Sequence, residues 1–324
     1  MTTRVHVFAD GTDRSVEHRF DELPAVLERP GAIVWVDVDT PDEGEIADLA
    51  RLLELHELAV EDTLGEHQRP KLDHYGNHLF LVLHAVRLDA ATTTLERAEI
   101  DTFVGDRWMV TVHRGNGFDV GAAIARADRS PGMARDGVSY LLYGLLDLVV
   151  DGYFETIDAF DDFFDGLTDQ IFSGEPLDTA GQRDWFRMRQ ALVRFHRVAV
   201  PMREAVSALM RHENRLVADA LYPYYQDVYD HILRVSESTE ALRDLVASIV
   251  ETNLSLRDYR QNQVMKKVTS WAAIIAVPTL VTGFYGMNVP YPGSGSTGGA
   301  VSAVALVVIL SAALYAAFRR NDWL

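Results

Sequence analysis

Two uncharged apolar runs, separated by a short loop, close the chain and limit what it can fold into. The first covers residues 268–287 and is 20 residues long; the second covers residues 300–318 and is 19 long. At 1.5 Å per residue, each run would form a helix of roughly 30 Å, the thickness of a bilayer's hydrocarbon core. Lys266 and Lys267 precede the first run, and Arg319 and Arg320 follow the second. Basic residues stay on the cytoplasmic side, so both outer ends are expected there. The result is a membrane hairpin with Gly286-Met287-Asn288 at its far mouth and a loop at 289–299 rich in glycine, proline and serine.

The 324 residues leave room for a soluble domain ahead of this hairpin. Residues 1–10 have no apolar core of useful length, so no secretory signal is expected and the soluble part should remain in the cytoplasm. Cysteine is absent, which excludes disulfides, thiolate metal sites and thiol nucleophiles. The formal charge is −18. Phosphate recognition needs a basic face, so no nucleic-acid partner is expected. The same charge is compatible with cations as partners, and equally with simple solubility. P-loop, nucleophile-elbow and His-Glu-x-x-His signatures are missing, and an enzyme is not expected.

Residues 1–136 read as an α/β domain. Runs at 4–9, 33–38, 79–88, 100–104 and 108–113 are β-branched or aromatic and bounded by Gly, Asp and Pro. Between 41 and 64, Ile46, Leu49, Leu52, Leu53 and Leu55 recur at helical spacing. Pro70 disfavours helix at Arg69 and sets a turn there. His74 and His78 have the spacing of a zinc pair, but Tyr75-Gly76-Asn77 between them is turn chemistry, so ordinary polar histidines are expected. Residues 137–221 read as a helical hairpin: a long amphipathic helix with Asp147, Asp151, Glu155, Asp158, Asp161, Asp162, Asp165 and Asp169, a break at 173–176, and a second helix from Asp178 with Pro201 inside it. The acids are expected on a solvated face.

Residues 222–288 read as one stalk helix that continues into the membrane. No glycine interrupts it before Gly283, and Pro278 is the proline of its interior. Its last turns carry Asn262, Met265, Thr269, Ala272, Ala276, Thr279, Gly283 and Gly286 at alternating spacings of three and four, hence on one stripe. Every member except Met265 is polar or small. Two helices packed through small residues would explain the alanines and glycines. A pore wall explains Asn262, Thr269 and Thr279 better. Stepping back by sevens from Met265 gives Asp258, Glu251, Asp244, Glu237 and Asp230, acidic at every step. These are either a funnel that concentrates cations or the solvated face of an acid-rich helix.

Tyr285-Gly286-Met287-Asn288 before an external loop resembles the signature of the CorA family of two-helix magnesium transporters. The succession from Val60-Glu61-Asp62-Thr63-Leu64 through His67-Gln68-Arg69-Pro70-Lys71 to the strand at 79–83 also looks like that family, as does Tyr225-Gln226-Asp227-Val228-Tyr229-Asp230-His231. The resemblance implies an α+β membrane protein that forms a homopentamer in the bilayer: cytoplasmic α/β domain, helical hairpin outside the stalk, first membrane helix, periplasmic loop at 289–299, second membrane helix at 300–318 and cytoplasmic tail at 319–324. It implies passive Mg2+ influx, with Co2+ and Ni2+ as further cargo and no organic cofactor. Gly286 and Asn288 would form the ion-binding mouth. The stripe would line the pore, with an apolar neck near Met265 and Val268, and Ala276 stands where the family usually has a bulkier residue. Asp227 and a neighbouring subunit's Glu61 and Asp62 would hold a regulatory Mg2+. The external loop lacks the acids many members carry. A zinc transporter of this fold would more typically have Ile at Met287, and a membrane-anchored sensor or scaffold would not need the polar stripe.

Overall fold

The computed structural model describes residues 2–8, 16–65, 68–115, 117–127, 136–173, 178–211, 216–287 and 293–324. The chain divides into two compact units, Met1–Val246 and Ala247–Leu324.

The first unit is built on a seven-stranded sheet. Its strands are β1 (Thr2–Phe8), β2 (Val16–His18), β3 (Ile33–Asp39), β4 (Lys71–Tyr75), β5 (His78–Asp89), β6 (Thr94–Val104) and β7 (Trp108–His113), in the order β2-β1-β3-β7-β6-β5-β4. β3 and β7 pair in parallel, with Val34 opposite Trp108, and all other neighbours are antiparallel. The central strands are apolar on both faces: Val34, Trp35 and Val36 on β3, and Phe80, Leu81, Val82 and Leu83 on β5, are fully buried. A sheet of that composition needs cover on both sides.

Helices α1 (Leu23–Leu27), α2 (Glu43–Leu53) and α3 (Glu57–Leu64) supply one cover, with Leu23, Val26, Ile46, Leu49, Leu53 and Ala59 in a single core cluster with the strands. The helical pattern at 41–64 is therefore two helices. Asp42 caps α2 by accepting from the Glu45 amide at 2.8 Å. Glu54, in a left-handed conformation (φ 53°), ends it. His56 then caps α3 through Nδ1.

The other face is covered by α5 (Val138–Ser173) and α6 (Thr179–Leu209), which pack on β4, β5 and β6, with α4 (Val120–Ala127) alongside α5. Tyr153 on α5 is fully buried, and its hydroxyl donates to the His84 carbonyl of β5 at 2.6 Å. The change at about residue 137 thus separates two kinds of secondary structure that pack as one unit. Asp178 caps α6 by accepting from the Gly181 amide, and α6 continues through Pro201. Asp158, Asp161, Asp162, Asp165 and Asp169 are exposed, as expected, whereas Asp147 is buried. Residues 174–176 of the expected break lie outside the described residues.

Helix α7 (Tyr222–Tyr285) begins in the first unit and ends in the second. Within the first unit it buries Tyr225, Val228, Ile232, Val235, Thr239, Leu242 and Val246, a seam with alternating steps of three and four. In the second unit, α8 (Thr297–Arg320) starts at Ser296, whose hydroxyl accepts from the Gly299 amide. A β-carbon on Gly299 would lie 2.2 Å from the Gly293 carbonyl oxygen, so this turn requires glycine there. Among the described residues, α7 and α8 are the two helices long and apolar enough to cross a membrane.

Three strand readings change with the structure. β4 was not expected, although the turn at residues 76–77 that follows it was, and β6 begins six residues before Ile100. β5 ends at Asp89 and pairs with β6 along its whole length, from Leu79 opposite Val104 to Asp89 opposite Thr94.

Candidate functional site

Helical geometry divides the apolar end of α7 into two faces. Ser270 and Val281 are buried, and Ile274, Val277 and Tyr285 on the same side are half-buried. About 100° per residue puts Asn262, Met265, Thr269, Ala272, Ala276, Thr279, Gly283 and Gly286 on the opposite side, and all of them are exposed. Val268, at the edge of this stripe, is 60% exposed. The polar stripe therefore has no cover within the second unit.

The local chemistry suits a wet face. The Thr279 hydroxyl donates to its own helix at the Ile275 carbonyl (3.1 Å), leaving its oxygen lone pairs for an outside donor. Gly283 has open space where a β-carbon would stand, so no contact in this chain demands glycine there. Gly286 is the first residue past the end of the helix, and its amide still reaches the Thr282 carbonyl at 2.8 Å. Asn288 and residues 289–292 of the loop lie outside the described residues.

The acids at seven-residue intervals all face outward. Asp230, Glu237 and Asp244 lie across the helix from the buried seam and are exposed; Glu251 and Asp258 in the second unit are exposed as well. Asp230 accepts a hydrogen bond from Gln226 at 3.0 Å.

The acids expected at a regulatory site occupy two separate surroundings. Glu61, on α3, is exposed. The neighbouring Asp62 accepts from Lys71 Nζ at 2.6 Å. Asp227, on α7, is 62% exposed at its side chain, 3.7 Å from His231 Nε2. Among the described residues, no group of three or more histidines and acids is arranged to hold a metal. His74 is exposed on β4, and His78 is buried on β5, where burial pushes its imidazole down to about 4.

A buried polar layer escaped the sequence reading. On β6, Asp101 is 2% exposed, and burial, then the Glu99 carboxylate, push it up to about 8 against the opposing pull of Arg114. Its Oδ1 has no hydrogen-bond partner. His113 on β7 lies 3.2 Å from Asp37; burial pulls its pKa down, but Asp37 and Asp39 outweigh this and raise it. On α5, Arg126 of α4 bridges Asp147 and Asp151. Only the two-residue alternation of strands could have placed Asp37 and Asp101 inward, and in apolar strands that signal is weak.

Comparison with known proteins places the whole arrangement. The family profile described as CorA-like Mg2+ transporter protein matches residues 30–320. The putative metal ion transporter YfjQ of Bacillus subtilis is 31% identical over 265 residues, 81% of each chain. The cobalt/magnesium transport protein CorA of Thermotoga maritima is 29% identical over 273 residues, 83% of this chain and 77% of that one. Among solved structures, the complete CorA magnesium transporter of Methanocaldococcus jannaschii has the same fold, with a TM-score of 0.79 at 20% identity over 100% of this chain and 99% of that one. By sequence over most of its length, and with a fold to match, this chain belongs to the CorA-like Mg2+ transporter family.

Proposed function

We propose that the chain is one subunit of a homopentameric channel for passive Mg2+ influx at the cell membrane, with both termini in the cytoplasm. The observation that carries this reading is the exposed stripe from Asn262 to Gly286, polar or small on the side of α7 opposite Ser270 and Val281. Two membrane helices per chain cannot enclose a pore, so several copies must contribute one stripe each. Gly286 and Asn288 stand at the outer mouth. Mg2+ dehydrates reluctantly, and a ring of neutral amide and carbonyl oxygens suits a cation that keeps its waters. Without a carboxylate there, binding stays weak enough for release inward, as conduction requires. Hydrates of Co2+ and Ni2+ are of similar size and pass by the same route.

Glu251 and Asp258, with Asp244 above them, form cation-attracting rings on the cytoplasmic side, beyond a neck at Met265 and Val268. Cytosolic Mg2+ closes the channel by bridging Glu61 or Asp62 of one copy and Asp227 of the next. Two carboxylates brought together repel unless a cation lies between them. The exposure of Glu61 and Asp227 supports a site shared between copies.

The direct test replaces Asn288 by alanine. Mg2+ uptake by cells that carry only this transporter is lost, while the pentamer assembles and inserts. Normal uptake by a correctly inserted N288A protein would refute the proposed mouth.

A further inference from the structure

Lys71 opens β4 immediately after Pro70, which is buried. Alternation along the strand puts Lys71 and Asp73 on one face, and Asp62 near the end of α3 reaches the same ammonium group. The ammonium group of Lys71 lies 2.6 Å from a carboxylate oxygen of Asp62 and 2.6 Å from one of Asp73. It also stands 5.5 Å from the centre of the Phe80 ring, so its position is fixed from below. The three side chains are only 25%, 26% and 37% exposed. The ammonium group is thus held between two carboxylates of its own chain.

Asp62 therefore already has a cation, and one supplied by its own chain. A divalent ion that bridges copies through Asp62 must take the carboxylate away from Lys71. The exchange does not strand the ammonium, because Asp73 retains it. Glu61, one residue earlier, has no such partner among the described ion pairs and is open to solvent. We propose that Lys71 is a tethered competitor for the Asp62 carboxylate, and that the Lys71–Asp62–Asp73 clamp sets the cytosolic Mg2+ concentration at which neighbouring copies lock together. This inference rests on the regulatory role proposed above for Asp62 and Asp227.

The test is protection from limited proteolysis as Mg2+ is titrated against the full-length protein in detergent. Lys71→Met keeps the stem over Phe80 and removes the charge. Its midpoint should fall roughly tenfold in Mg2+, the order expected for deleting a half-buried charge-assisted hydrogen bond. Asp73→Asn leaves Lys71 wholly to Asp62 and should move the midpoint several-fold the other way, which keeps the idea testable if K71M folds poorly. Asp62→Asn and Asp227→Asn separate the two readings. Should each leave the wild-type midpoint unchanged, the regulatory reading fails and takes the competitor with it. Should they abolish protection while K71M and D73N both match wild type, the competitor alone is overturned.

Discussion

Replacing Asp101 with asparagine should stabilise the protein, by an amount that depends on pH. The carboxyl group is 2% exposed on β6 and one of its oxygens has no partner. Its pKa stands at about 8 in the folded chain against an ordinary value of 3.8. Between those values the folded protein keeps a proton that the unfolded chain has released, so stability falls as pH rises through this window. Below pH 4 both states are protonated and the penalty vanishes; above pH 8 it is complete. At about 1.4 kcal/mol per unit, the ceiling is roughly 6 kcal/mol, and about 4 remains at pH 7. Asparagine mimics the neutral acid, so D101N should match wild type at pH 4 and gain steadily above it. Thermal unfolding of the full-length protein in detergent, followed by tryptophan fluorescence from pH 4 to 9, measures the difference. A gap in apparent Tm that stays constant across that range, or a D101N protein that is less stable at every pH, would show that Asp101 is ionised and held by Arg114.

Other expectations test the packing and the proposed pore. Tyr153→Phe removes a buried hydroxyl that donates to the His84 carbonyl at 2.6 Å; it should cost about 1–2 kcal/mol, seen as a Tm lower by a few degrees in the same assay. Glu251→Gln combined with Asp258→Asn removes two exposed carboxylates per copy. Mg2+ current at low ionic strength should drop, the deficit should shrink as salt rises, and assembly should be unaffected. Currents equal to wild type at all salt concentrations would assign those acids to a solvated face alone.

Legibility in the sequence followed the strength of each periodic signal. The membrane helices were readable because their runs are long and uncharged, and the stripe on α7 because its spacing repeats over seven steps. β4 was not: Lys71-Leu72-Asp73-His74-Tyr75 is a short edge strand with one aliphatic residue, and charge is what edge strands carry to avoid pairing with other chains. The first half of β6 was hidden in the same way, because Glu96 and Arg97 face solvent while Ala98 alone turns inward. The amphipathic patterns of α5 and α6 were plain, but an apolar face does not announce what will cover it. Here it was the sheet. Lys71 lies nine residues from Asp62, and no local rule would have paired them. The buried Asp101 was equally silent, since a single acid in a strand gives no sign of which way it points.

The parallel seam at the centre of the sheet has a consequence for synthesis. β1 and β3 pair antiparallel across a connection of 24 residues, and β4, β5 and β6 form a meander with short turns. Either half can close while the chain is still emerging, because loop closure over short distances is fast. β3 and β7, however, bring Val34 to Trp108, so the halves join only once β7 has left the ribosome. The first apolar run long enough to cross a membrane begins at residue 268, more than 150 residues later. At a few to about twenty residues per second, the ribosome allows the sheet roughly ten seconds or more to complete before the membrane machinery meets a segment it can insert. The order of the elements thus gives the sheet time to form before the chain is drawn to the bilayer.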